Sequence, residues 1–130
     1  MSGTFALKPF RRPRLWLPLW LMAVTAVVVL SLVNLSGLPP VPAGGDKVEH
    51  FLAYALLSAS AVQLFAKRRA CLLVALLLVA LGIGLEFAQG MLTSTRMADP
   101  RDAVANTLGV LAGLATMTTS LRDLLLRLRG

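Results

Sequence analysis

Four stretches of this chain are apolar almost without a break, and short polar segments separate them. The first runs from Leu15 to Leu35 and is interrupted only by Pro18, Thr25, Ser31 and Asn34. The second begins at Asp46 and continues to Phe65, the third covers Ala70 to Gln89, and the fourth runs from Pro100 to Ser120. A helix needs roughly 20 mostly apolar residues to cross about 30 Å of hydrocarbon. The pattern therefore predicts an all-α polytopic membrane protein, a bundle of four transmembrane helices over residues 15–35, 47–65, 70–89 and 101–120. Local signals support these starts. Pro18 stands in the first turn, where a missing N–H costs little, and Trp16 and Trp20 sit where membrane-interface anchors do. Asp46 with Glu49 three residues on reads as a capping box. Asp99 reads as an N-cap, with Pro100 at the first helical position.

Composition strengthens the membrane reading. The hydrophobic fraction is 57% and the charged fraction 15%, against about 45–50% and 25% in soluble domains. The first run is longer than the roughly 7–15 apolar residues of a signal peptide, so it reads as a retained span. Lys and Arg then set the orientation. Ten lie in the N-terminus, the 67–69 turn and the tail, and three (Lys47, Arg96, Arg101) lie on the other side. The richer side faces the cytoplasm. This predicts N- and C-termini both inside, with a basic N-terminus over 1–14, a membrane domain over 15–120 and a basic tail over 121–130. The net charge of +7 thus reads as a topology signal, with no nucleic-acid partner. Cys71 and His50 are the sole cysteine and histidine; they make no ligand cluster, so neither a metal nor a cofactor is expected.

The polar residues that intrude on the apolar helices are few, and they share one depth. Lys47, Glu49, His50 and Tyr54 open the second helix, Glu86 and Gln89 close the third, and Asp102 and Asn106 open the fourth. At about 100° per residue, Lys47, His50 and Tyr54 form one stripe that Ser58 and Ala61 continue. Glu49 points away from it, which suits a cap. Gly82, Glu86 and Gln89 share a stripe, as do Asp102, Asn106, Gly109 and Gly113. The last two form a G-x-x-x-G pair, which admits a second helix closely. Polar groups in hydrocarbon face the bundle interior and pair there. Lys47, His50, Tyr54, Glu86, Gln89, Asp102 and Asn106 are therefore expected to converge on an outward-opening pocket, with Arg96 reaching in from the loop. Each of these residues also has a plainer reading as a cap, a snorkelling group or interhelical glue.

These residues carry a resemblance. Asp-Lys-x-x-His-x-x-x-Tyr at Asp46, Lys47, His50 and Tyr54 is followed by Glu-x-x-Gln at Glu86 and Gln89. Arg-x-x-Asp-x-x-Asp-x-x-x-Asn-x-x-Gly comes next, at Arg96, Asp99, Asp102, Asn106 and Gly109. Together, over residues 46–113, they resemble the VanZ-like family of small bacterial membrane proteins. The resemblance implies the bacterial cytoplasmic (inner) membrane and a cell-envelope role. The family's namesake accompanies glycopeptide-antibiotic resistance, which the resemblance does not extend to this chain.

Three functions compete. The pocket would bind an anionic lipid or glycolipid headgroup, such as a phosphate on a lipid-linked sugar, with Lys47, Arg96 and protonated His50 supplying charge. Alternatively His50 and Glu86 form a general-base pair for phosphoryl or acyl transfer. In the third reading the polar layer only locks helix register in a structural bundle. Membrane lipids are the expected partners in the first.

Overall fold

A computed structural model describes residues 3–32, 45–92 and 100–129. Their regular elements are all helices, in the order α1 (Pro13–Leu32), α2 (Gly45–Leu64), α3 (Arg68–Leu92), α4 (Pro100–Ala115), two short 3-10 turns and α5 (Leu124–Arg129), and residues 3–12 form an irregular arm before α1. Most of the two expected outer loops, over 33–44 and over 93–99 with Arg96 and Asp99, lies outside the described residues.

Among the described residues, two helices are long and apolar enough to cross a membrane, Pro13–Leu32 at a mean hydropathy of 2.2 and Arg68–Met91 at 2.5. A third qualifies if Pro100–Thr118 and Ser120–Arg129, bent by 83°, count as one span. No α1 residue is buried, and its Leu21, Met22, Val29 and Leu30 are exposed. Such a surface is costly in water and at home in lipid.

The core forms where α2, α3 and α4 meet. Tyr54, Leu57, Ala61 and Val62 of α2 pack with Val74 and Leu78 of α3 and Val110 of α4. The α2–α4 seam is the tightest, because Gly109 and Gly113 present bare backbone to α2. A Cβ on Gly109 would lie 2.3 Å from the Phe51 carbonyl oxygen, and one on Gly113 2.4 Å from that of Ala55. Close backbone approach through small residues is how helices associate where no hydrophobic effect separates them from solvent. Ser58 Oγ completes the seam, donating to the Val110 carbonyl at 2.8 Å. On the other side, Trp20 Nε1 donates to the Leu57 carbonyl at 3.0 Å and ties α1 to α2.

One expected boundary is corrected. The fourth helix stops at Ala115 rather than Ser120. The Thr-Met-Thr-Thr stretch that follows is the cause: Thr116, Thr118 and Thr119 hydroxyls each donate to the carbonyl three residues back. Such local bonds compete with the helical ladder. The chain then turns, and α5 lies across the end of the bundle rather than trailing as a tail. The basic N-terminal segment packs against the bundle. Lys8 N donates to the Leu64 carbonyl and Ala66 N to the Ala6 carbonyl, each at 2.9 Å, and Ala6, Lys8 and Phe10 are buried.

Candidate functional site

The polar stripes of α2 and α4 meet. Lys47 Nζ donates to Asp102 Oδ1 at 2.9 Å. His50 lies one turn deeper, with Nδ1 2.9 Å from Asn106 Oδ1 and Nε2 3.7 Å from Asp102 Oδ2. An amide oxygen only accepts, so this arrangement puts a ring proton on Nδ1. Spacing explains the match: Lys47 and His50 are three apart on one helix face, Asp102 and Asn106 four apart on the other. The glycine seam below brings the backbones near enough for these short reaches.

The third helix joins at the same level. Glu86 and Gln89 are buried. A Cβ on Gly82 would stand 3.0 Å from Asn106 Cβ and 3.3 Å from the Tyr54 ring, so α2, α3 and α4 converge there. Glu86 is an electrostatic neighbour of the buried Tyr54. Gln89 Nε2 donates to the Ser31 carbonyl at 2.9 Å, which fastens α3 to the end of α1.

Of the expected site residues, Lys47, His50, Tyr54, Glu86, Gln89, Asp102 and Asn106 thus occupy one end of the bundle; Arg96 lies outside the described residues. Both ring nitrogens of His50 face α4. Asp102 stands where an orienting carboxylate for His50 would stand. Glu49 is exposed, and with His50, Tyr54 and Ser31 it lines a groove of about 190 Å³ between α1 and α2. Among the described residues, no three His, Cys, Asp or Glu side chains come together as metal ligands do.

Sequence reasoning also missed two polar residues at the other end. Gln63 Nε2 donates to the Leu121 carbonyl at 2.7 Å, and its Oε1 accepts from Leu125 N at 2.9 Å. A lone amide in an apolar half-helix was the available signal. Lys8 Nζ donates to the Arg122 carbonyl and pairs with Asp123 Oδ1 at 2.9 Å. Nothing in the N-terminal sequence marks Lys8 apart from its basic neighbours.

Comparison with known proteins finds no matching family model, curated protein or solved structure.

Proposed function

We propose that this chain is a VanZ-like protein of the bacterial cytoplasmic membrane that crosses the bilayer four times with both termini cytoplasmic, and that its outer polar cluster binds an anionic lipid or glycolipid headgroup in the cell envelope. The ten-to-three distribution of Lys and Arg supports the orientation. α2 has 20 residues, about 30 Å, enough to span despite its charged first turn. α4 has 16 residues, about 24 Å, and its bent continuation brings the chain to the interface.

One observation carries the binding role: Asp102 and Asn106 of α4 orient Lys47 and His50 of α2 beside the α1–α2 groove. An ammonium has three donors. Asp102 aims this one, and the Lys47 side chain is 29% exposed, so a phosphate oxygen arriving from outside meets a preset donor. His50, lining the groove, is the second contact.

The test is thermal unfolding of the purified full chain in detergent with polyprenyl monophosphate or the uncharged polyprenol. At about 100-fold excess over the dissociation constant, a ligand of the folded state adds about 2.7 kcal/mol. The expected result is a midpoint raised by several degrees with the phosphate only, and not in Lys47→Met or His50→Gln. Equal shifts with both lipids, or none, overturn the reading.

A further inference from the structure

We propose a second lipid site at the opposite end of the bundle, where a cleft of four arginines holds the phosphate of an anionic glycerophospholipid and an adjoining apolar groove takes its acyl chain. The proposal rests on the membrane reading but on none of the outer cluster's residues.

The cleft has a volume of about 610 Å³ and is lined by Arg11 and Arg12 before α1, by Arg127 and Arg129 of α5, and by Leu15, Trp16 and Leu128. Among the described residues, no side-chain carboxylate lines it. Asp123, the nearest acid in sequence, is occupied with Lys8 and Arg122. Arg127 Nη2 donates to the Ser120 carbonyl at 2.8 Å, which uses one of five guanidinium donors and holds the rest in place. Four like charges gathered by two distant segments repel one another. An anion removes that repulsion, and guanidinium groups match the two-oxygen edge of a phosphate.

The second half of the site identifies the anion as a lipid. A groove of about 520 Å³ adjoins the cleft and shares Trp16 and Leu128 with it. Leu19 and Ala23 of α1, Leu56 of α2 and Leu124 of α5 line its length. It runs from the arginines along the α1–α2 face, from the interface toward the middle of the membrane. A free phosphate would use only the cleft; a lipid would use both. The 83° bend after α4 lays α5 across the bundle end, and Gln63 pins that bend. α5 therefore sits as an interfacial helix does, leucines toward the apolar side and arginines toward headgroups.

Both tryptophans of the chain, Trp16 and Trp20, line the groove, so their fluorescence reports its occupancy. The full chain is reconstituted into phosphatidylcholine vesicles. An equal small fraction of either brominated phosphatidylglycerol or brominated phosphatidylcholine is then added. The expected result is half-maximal quenching by the anionic lipid at a fraction about fivefold lower. That preference should weaken in high salt and disappear in the Arg127→Gln, Arg129→Gln double variant, whose quenching by brominated phosphatidylcholine stays as in the native chain. Equal quenching by the two lipids in the native chain overturns the proposal, without recourse to any variant. So does a preference that survives the double variant together with Arg11→Gln and Arg12→Gln. The polyprenyl phosphate shift is measured on the same native chain in a separate experiment, so failure here and failure of the outer headgroup site are read separately.

Discussion

At the scale of single residues, the Lys47–Asp102 pair is asymmetric, and the asymmetry has consequences. The Asp102 side chain is 8% exposed and that of Lys47 29%. Removing the cation leaves a carboxylate inside the bundle, a loss of about 3–5 kcal/mol for a buried pair. Removing the anion leaves a long side chain that can turn its ammonium to water, and Asp102→Asn keeps the shape, so about 1–2 kcal/mol is expected. In detergent, Lys47→Met should therefore lower the unfolding midpoint more than Asp102→Asn. The reverse order would mean that Asp102, with His50 also against it, is the main organiser. Joint replacement by apolar residues separates register-locking from binding: the fold should persist while the phosphate-dependent shift is lost. The sequence showed which residues would gather here, because spacings of three and four place them on one face. It did not show who would pair with whom. That depends on the relative height of α2 and α4, which Gly109 and Gly113 set.

At the scale of elements, that seam sets two ordinary rules against each other. Helix propensity alone makes Gly→Ala favourable by about 1 kcal/mol. At Gly113, however, the added Cβ would stand 2.4 Å from the Ala55 carbonyl oxygen and 2.6 Å from Ala59 N. Both are backbone atoms within a helix and neither can move alone, so contact outweighs propensity. Gly113→Ala is expected to destabilise by about 1–3 kcal/mol, as overpacking does, and to loosen the Ser58–Val110 bond beside it. Thermal unfolding of this variant checks the sign; a rise would mean that the helices part without loss. The G-x-x-x-G spacing announced this contact, and Pro100 announced where α4 begins. The end of α4 was less legible: Thr116 to Ser120 is apolar enough to extend a span, yet its hydroxyls draw the backbone into 3-10 turns. α3 likewise extends to Leu92, past the Gln89 at which the apolar pattern fades.

At the scale of the whole molecule, the two chain ends close the bundle opposite the candidate headgroup site. The N-terminal arm crosses the α2–α3 turn, the C-terminal bend sits on α2 through Gln63, and Lys8 joins the two through the Arg122 carbonyl and Asp123. A count of basic residues could assign these segments a side but could not foresee that they touch, since the contact links positions more than a hundred residues apart. The clasp should respond to acid. The hydrogen bond from Lys8 holds the Asp123 carboxyl below its ordinary value of 3.8, with the charges of Lys8 and Arg122 acting in the same direction. A carboxyl with a lowered folded value stabilises the fold fully above its unfolded value, and that contribution is lost as the pH falls through the folded one. The clasp should thus be indifferent to pH between about 5 and 8 and should loosen only below about 4. Hydrogen exchange of Ala6 and Lys8 amides, followed from pH 6 to pH 3 after correction for intrinsic rates, should show protection falling at the acid end. In Asp123→Asn, protection should already be low at pH 6 and should not fall further. Protection that is lost equally in both proteins would place the acid-sensitive group elsewhere and leave Lys8 held by the Arg122 carbonyl alone.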